Sequence, residues 1–164
     1  MSKTILITGA SSGIGKATAI ILAKNNYKLV ICGRREDRLN ELKTALSEFT
    51  EVHSLLFDVR DKDAVFEQIN SLPEAFSQID ILINNAGLAL GRDSFEQASI
   101  EDWETMIDTN VKGLLYASKA VLPHLIKEKG HIINISSIAG LEGMAQVSGY
   151  CGTKWAVKGI SESL

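Results

Sequence analysis

The sequence has little of what marks a membrane, nucleic-acid-binding or disulfide-stabilised protein. Its 164 residues include only two cysteines, and 17 basic against 20 acidic side chains leave a formal net charge of −3. No apolar run approaches the roughly 20 residues that span a bilayer. The net negative charge also argues against the basic surface with which proteins bind nucleic acid. We therefore predict a globular protein with no membrane span and no nucleic-acid partner.

The cysteines and histidines of the sequence do not indicate a metal site or a disulfide framework. Cys32 and Cys151 fit no metal-ligand spacing and are too few for a disulfide framework. The three histidines show no ligand spacing either, so we predict no metal site. The first four residues lead into a short apolar run that is typical of a strand rather than of a signal peptide. We expect a reducing, cytoplasmic setting.

Short β-branched runs alternate with longer stretches of helical periodicity. The short runs predict five strands, at Thr4–Thr8, Lys28–Cys32, Val52–Phe57, Ile79–Ile83 and His131–Ile135. The longer stretches predict helices over Ile14–Asn25, Arg35–Glu48, Lys62–Ser77, about Ser99–Lys129 and Gly149–Leu164. Apolar strands separated by helices imply a parallel sheet covered on both faces. We expect one α/β domain over residues 1–164, doubly wound with strand order 3-2-1-4-5, and a ligand crevice where strands one and four end.

The long helical stretch carries two local signals. Ser99 and Asp102 fit a capping box in which aspartate replaces glutamate. Pro123 lies inside the stretch and is expected to kink or divide it, because proline lacks an amide hydrogen.

A glycine-rich loop follows the first strand and opens the first helix. It reads Thr8-Gly9-Ala10-Ser11-Ser12-Gly13-Ile14-Gly15. Glycine permits tight turns and close backbone approach, and free amides at a helix N-terminus attract phosphate. The alternative is a turn without a ligand, but the strand–loop–helix context favours nucleotide binding. The candidate cofactor residues here are Gly9, Ser11, Ser12, Gly13, Ile14 and Gly15.

The end of the second strand discriminates between the two nicotinamide cofactors. NAD calls for an acidic residue there, but the sequence continues Gly33-Arg34-Arg35 with no carboxylate before Glu36. Guanidinium groups recognise a 2′-phosphate by charge-assisted hydrogen bonds. The alternative is an exposed basic pair, although cations are disfavoured at a helix N-terminus. Arg34 and Arg35 therefore predict NADP(H).

Polar residues also follow strands three and four. Asp58 could meet an adenine amino group while Val59 packs beside it, or it could simply cap a helix. Asn85, Ala86 and Gly87 combine small residues that allow close approach to a cofactor with an amide that can fix the loop. Asparagine in a loop is, however, often only turn chemistry.

The segment Tyr150-Cys151-Gly152-Thr153-Lys154 lies in the last predicted helix. Residues four apart share one helix face, so Tyr150 and Lys154 point in the same direction. A neighbouring ammonium favours the phenolate form of a tyrosine. Such pairs also occur on solvated helices, but this one follows strand five and lies downstream of Ser136-Ser137. A serine hydroxyl there can hydrogen-bond a substrate oxygen, which favours catalysis.

Taken together, these motifs resemble the short-chain dehydrogenase/reductase family over essentially the whole chain. They comprise the glycine loop, Asn84-Asn85-Ala86-Gly87, Asn110 in the long helix, and a serine followed by Tyr-x-x-x-Lys. The family places its serine 13 residues before the tyrosine, which selects Ser137 rather than Ser136. The resemblance implies a Rossmann fold, NADP(H) and a small alcohol or carbonyl substrate.

The resemblance also implies a role for each candidate catalytic residue. Tyr150 would donate a proton to the carbonyl oxygen during reduction, and Ser137 would orient that oxygen. Lys154 would bind the nicotinamide ribose hydroxyls and favour the phenolate, so Tyr150 and Lys154 belong to both the catalytic and the cofactor set. Asn110 would hold a water that links Lys154 to solvent.

A finer resemblance concerns the NADP-dependent 3-hydroxy acid dehydrogenases, which oxidise serine and related acids or reduce semialdehydes. It rests on Gly33–Arg35, Asn85–Gly91 and Asp102–Asn110, which mainly touch cofactor and scaffold. The resemblance further implies a homodimer or homotetramer.

The family continues beyond its Tyr–Lys helix with two strands, a Pro-Gly loop and a lid over the substrate. This sequence ends at Leu164, and its prolines are Pro73 and Pro123. We therefore expect it to be C-terminally incomplete, to lack those strands and to expose the edge of strand five. Two functions stay open, namely an enzyme and a catalytically silent nucleotide-binding or interaction module.

Overall fold

The computed structural model describes residues 2–164 as alternating strands and helices. The strands are β1 (Thr4–Ile7), β2 (Lys28–Gly33), β3 (Val52–Leu56), β4 (Ile81–Asn84) and β5 (His131–Asn134). The helices are α1 (Gly13–Lys24), α2 (Glu36–Leu46), α3 (Lys62–Asn70), α4 (Ile100–Ile107), α5 (Leu114–Glu128) and α6 (Ser148–Ser163). A π-helical segment, Asp108–Gly113, joins α4 to α5. None of the helices over residues 2–164 is long and apolar enough to cross a membrane.

The five strands form one parallel sheet in the order β3-β2-β1-β4-β5. This confirms the predicted doubly wound fold and its strand order. Leu6 of β1 lies opposite Val30 of β2 and Leu82 of β4, so β1 is central and buried. The chain winds outward from β1 through β2 to β3 and then returns to the other side of β1 to form β4. The winding direction therefore reverses between β1 and β4. A crevice for a ligand forms where such strands end.

Apolar clusters cover both faces of the sheet. Successive strand residues point to opposite faces, so Leu6 packs on one side with Val65 and Val121, whereas Ile7 packs on the other with Leu42. The α3 and α5 helices cover the first face, and α1 and α2 cover the second. β5 forms one edge of the sheet, as predicted.

The predicted helix over Lys62–Ser77 is wrong in its second half. The α3 helix ends at Asn70, and a separate single turn covers Glu74–Phe76. Pro73 explains the break, because the residue before a proline is disfavoured in helical conformation. β4 correspondingly begins at Ile81 rather than at Ile79.

Of the kink or division predicted at Pro123, the division is wrong. The α5 helix runs through Pro123, which lies on its exposed side. A carbonyl that loses its amide partner on the outer face of a helix can bond to water instead. The interruption falls instead at the π-helical segment, 10 residues earlier at Gly113.

The predicted capping box at the start of α4 is confirmed in one of its two bonds. Ser99 Oγ accepts a hydrogen bond from the Asp102 amide at 3.1 Å. The hydroxyl itself donates to Glu101 Oε2 at 2.8 Å, so Glu101 is the carboxylate that Ser99 engages.

Candidate functional site

A cleft of about 600 Å³ opens at the carboxyl end of the sheet. It is lined by the glycine loop, by the ends of β2, β3, β4 and β5, and by α6. Of the residues predicted from sequence, the lining includes Gly9, Ser11, Ser12, Gly13, Ile14, Arg34, Arg35, Asp58, Val59, Asn85, Ala86, Gly87, Tyr150 and Lys154. Gly15, Asn110 and Ser137 lie outside the lining. The structure thus brings most of the predicted cofactor set to one concave surface.

The glycines of the loop serve two different purposes. A Cβ on Gly9 would lie 2.8 Å from Ala86 Cα, and one on Gly15 would lie 2.6 Å from the Gly9 carbonyl oxygen. These two positions therefore need glycine for close packing of the loop. Gly13, by contrast, has a φ of +54°, and a Cβ there would meet nothing within 4 Å, so it leaves open space in the cleft.

Thr8 and Asn85 hold the glycine loop against the end of β4. Thr8 Oγ1 accepts hydrogen bonds from the amides of Asn85 and Ala86, both at 3.1 Å. Asn85 Nδ2 donates to the carbonyl oxygens of Thr8 at 3.0 Å and Gly9 at 3.1 Å. The predicted loop-fixing amide is therefore present, and Thr8 is a positioning residue that the sequence pattern did not single out.

The N-terminus of α1 faces the cleft with free donors. Ser12 is its N-cap residue, yet its side chain makes no capping bond to the helix. Ser12 Oγ and Ser11 Oγ instead accept from Arg35 Nη2, at 2.8 and 3.1 Å. The first amides of a helix have no acceptor within it and carry the positive end of the helix dipole. Together with Arg35, this donor set fits the phosphates of a dinucleotide.

A second charged group lies on the same wall of the cleft. Arg34 is 58% exposed, and its Nη1 lies 3.5 Å from Asp58 Oδ2. Arg60 Nη2 approaches the same oxygen to 2.7 Å, and its Nε lies 3.1 Å from each carboxylate oxygen. Partial burial by itself raises the pKa of Asp58, but the hydrogen bonds and charge of Arg60 and the charge of Arg34 outweigh it and lower that pKa. Asp58 is therefore a firmly ionised carboxylate between two guanidinium groups.

Tyr150 and Lys154 lie one turn apart on α6, with Lys154 Nζ 5.8 Å from the centroid of the Tyr150 ring. Lys154 is only 7% exposed, and burial lowers its pKa from the ordinary lysine value. Its Nζ donates to the Ile135 carbonyl oxygen, just beyond β5, at 2.8 Å. An ammonium has three donors, so two remain to meet a ligand or the phenol oxygen.

The side chain of Asn110 is held by three hydrogen bonds inside the π-helical segment. Its Oδ1 accepts from the Leu88 amide at 2.9 Å. Its Nδ2 donates to the Leu88 carbonyl oxygen at 2.8 Å and to Thr153 Oγ1 at 3.0 Å. The amide group thus ties the loop after β4 to α6.

The two serines after β5 are placed differently. Ser136 lines the cleft. Ser137 caps the single turn Ile138–Gly140, where its Oγ accepts from the Ala139 amide at 3.2 Å. The Ser137 hydroxyl keeps its own proton, so it can still donate to a substrate oxygen.

Arg60 and Thr153 are site residues that sequence reasoning missed. Thr153 Oγ1 accepts from Asn110 and donates to the Tyr150 carbonyl oxygen at 2.8 Å. Its place between Tyr150 and Lys154 was a possible signal. Arg60 follows Asp58 by two residues, and no spacing rule for an irregular loop predicts which way its side chain turns.

Comparison with known proteins identifies one family. The family model described as short chain dehydrogenase matches residues 3–164. Serine 3-dehydrogenase of Agrobacterium fabrum is 44% identical over 164 residues, which are 100% of this chain and 65% of that relative. The NADP-dependent 3-hydroxy acid dehydrogenase YdfG of Escherichia coli (strain K12) is 45% identical over 161 residues, which are 98% of this chain and 64% of that relative. This chain thus spans 64–65% of the length of these relatives.

Two solved structures of serine dehydrogenase are also similar to this chain. Serine dehydrogenase from Escherichia coli superposes with a TM-score of 0.91 at 44% identity, over 98% of this chain and 74% of that chain. The closed form of serine dehydrogenase complexed with NADP+ gives a TM-score of 0.91 at 45% identity, over 98% of this chain and 64% of that chain.

Proposed function

This chain belongs to the short-chain dehydrogenase family, and we propose that it is an NADP(H)-dependent oxidoreductase acting on small alcohols or carbonyl compounds. The names of its relatives favour 3-hydroxy acids such as serine, or the corresponding semialdehydes, as substrates. The observation that carries the proposal is the buried Lys154 beside Tyr150, in the same cleft as the glycine loop.

NADP(H), when bound, supplies or accepts the hydride. Tyr150 donates a proton from its hydroxyl to the substrate oxygen during reduction and accepts it back during oxidation. The ammonium of Lys154 lies beside the ring of Tyr150, and its free donors bind the ribose hydroxyls. The Ser137 hydroxyl orients the substrate oxygen by donating to it.

Arg34 and Arg35 select the phosphorylated cofactor. Both line the wall of the cleft at the end of β2, where no carboxylate precedes Glu36. A guanidinium group binds a phosphate through paired, charge-assisted hydrogen bonds. NADP-dependent relatives and the NADP+ complex of a similar structure support this assignment.

The protons that Tyr150 exchanges need a path to solvent. We place Asn110 on that path because its side chain ties Leu88, in the loop after β4, to Thr153, which lies between Tyr150 and Lys154 on α6. Asn110 then supports Lys154 rather than contacting the substrate.

Assembly into homodimers or homotetramers belongs to the same proposal. Leu115 on α5 is 42% exposed and Trp155 on α6 is 45% exposed. Large apolar side chains on these two helices are suited to burial against a second copy of the chain.

Turnover tests the enzyme proposal against the alternative of a silent nucleotide-binding module. NADPH oxidation is followed at neutral pH with a panel of semialdehydes and small ketones, and NADP+ reduction with serine and related 3-hydroxy acids. We expect Tyr150→Phe to lower kcat by about 10²- to 10⁴-fold, because it removes the general acid. Tyr27→Phe, at a half-buried tyrosine just before β2 and away from the cleft, serves as the matched control and keeps full activity.

One result decides against the enzyme, and another decides against the role assigned to Tyr150. If the chain binds NADPH but turns over no substrate of the panel, the silent module is the function that stands. If turnover occurs and Tyr150→Phe matches the Tyr27→Phe control, the assigned chemistry is wrong.

A further inference from the structure

Arg60 belongs to no assigned part of the site, yet it makes the tightest charged contact at the cleft wall. We propose that Arg60 is a specificity-determining positioning residue. By holding the carboxylate of Asp58, it leaves Arg34 free to bind the 2′-phosphate of the cofactor. This inference rests on the proposed use of NADP(H).

The contacts of Asp58 are divided unequally between its two arginines. Arg60 reaches both carboxylate oxygens with Nε at 3.1 Å, reaches Oδ2 again with Nη2 at 2.7 Å, and donates its backbone amide to Oδ1 at 3.0 Å. Arg34 makes one contact at 3.5 Å, at the outer limit for a hydrogen bond. The carboxylate is therefore saturated by Arg60 and holds Arg34 only weakly.

The unequal contacts of Asp58 with its two arginines affect how the cleft wall receives the 2′-phosphate. Asp58 lines the cleft beside Arg34 and Arg35, whereas Arg60 does not line it. Without Arg60, Arg34 would be the remaining guanidinium in contact with the Asp58 carboxylate, in the wall that receives the phosphate. Arg34, with 58% of its side chain exposed, is free to turn toward that carboxylate. A phosphate would then compete with Asp58 for Arg34 and would also be repelled by it.

Comparing the binding of NADPH with that of NADH distinguishes a specificity role of Arg60 from a structural one. NADH carries no 2′-phosphate, so freeing the Asp58 carboxylate affects NADPH selectively. A merely structural ion pair between Arg60 and Asp58 would change the affinity for both cofactors by the same factor. The ratio of the two dissociation constants therefore reports the proposed role and cancels general damage to the cleft.

The experiment measures Kd for NADPH and for NADH by fluorescence titration of the 164-residue chain and its variants. We expect Arg60→Gln to lower the preference for NADPH about three- to fivefold, a size typical of a partly exposed charge pair. Arg60→Lys keeps the positive charge and should stay within about twofold of the wild-type preference. In the double variant Asp58→Asn/Arg60→Gln the competing carboxylate is gone, so the preference should return.

Three results overturn the inference while leaving the proposed function intact. They are an unchanged preference in Arg60→Gln, an equal loss of affinity for both cofactors, and no recovery in the double variant. If the wild-type chain itself shows no preference for NADPH, the proposed cofactor fails, and this inference fails with it.

Discussion

Single polar side chains fix the loops around the cleft, and Asn85 shows how. Its Nδ2 donates to two carbonyl oxygens of the glycine loop, those of Thr8 and Gly9. The same nitrogen lies where a Cβ on Gly15 would collide with it. The Asn85 side chain therefore sets both the position of the loop and its need for glycine.

Replacing Asn85 by aspartate tests this role. The new carboxylate would face the carbonyl oxygens of Thr8 and Gly9 instead of donating to them. We expect a loss of about 2 kcal/mol of unfolding free energy, because two donors are removed and acceptors face each other. For a chain of this length, thermal unfolding should shift down by about 4–8 °C.

Asn40→Asp is the matched control for that substitution. Asn40 is exposed on α2, away from the glycine loop, and its replacement should shift the free energy of unfolding by no more than about 0.5 kcal/mol. Equal midpoints for the two variants would show that Asn85 does not brace the loop.

The residues that could be predicted are those whose spacing implies a direction. Tyr150 and Lys154 are four apart on a helix, so the sequence alone placed them on one face, and the structure does the same. Arg60 lies two residues after Asp58 in an irregular segment. Its contact depends on the path of the backbone between β3 and α3, which no local periodicity encodes.

At the scale of elements, the π-helical segment Asp108–Gly113 is the feature that the sequence did not reveal. Periodicity predicted one long helix, and an extra residue in a turn barely changes that pattern. Tertiary contacts favour the distortion: a Cβ on Gly113 would lie 2.7 Å from Val59 Cγ2, and Asn110 bonds across to Leu88. Long-range packing, rather than helix propensity, therefore decides the conformation here.

Two glycines on α6 give opposite expectations for the same substitution. A Cβ on Gly149 would lie 2.5 Å from Trp103 Cδ1, and Trp103 packs on Phe95 with 4.9 Å between ring centroids. Overpacking of this kind costs about 1–3 kcal/mol. A Cβ on Gly159 would meet nothing within 4 Å. Gly159→Ala should instead stabilise the helix by about 0.5–1 kcal/mol.

Thermal unfolding of the two alanine variants checks this expectation. The midpoint should fall by about 2–12 °C for Gly149→Ala and rise by about 1–4 °C for Gly159→Ala. A rise in both variants would mean that the contact between α6 and α4 at Trp103 accepts an added methyl group. A fall in both would contradict the stabilisation expected at Gly159.

At the scale of the whole molecule, the order of the strands could be predicted because it follows from connection rules. Parallel strands joined by helices on both faces leave few arrangements, and the predicted order 3-2-1-4-5 is the one found. Element boundaries were less predictable, as the early end of α3 before Pro73 shows.

The length of the chain, at the same scale, separates the choice of cofactor from the choice of substrate. This chain spans 64–65% of the length of the relatives it matches. The cleft wall with Arg34 and Arg35 and the Tyr150–Lys154 pair lie within this chain. The choice of cofactor therefore depends on residues that the structure describes, above all Arg34 and Arg35.

Cofactor titration of the wild-type chain and of the double variant Arg34→Ala/Arg35→Ala tests whether these two arginines select NADP(H). Kd is measured for NADPH and NADH under identical salt conditions. We expect the wild type to bind NADPH at least about tenfold more tightly than NADH, since charge-assisted phosphate contacts are strong. The double variant should lose most of that preference while its affinity for NADH changes little. Equal affinities in the wild type, or equal losses for both cofactors in the variant, would show that Arg34 and Arg35 do not select the 2′-phosphate.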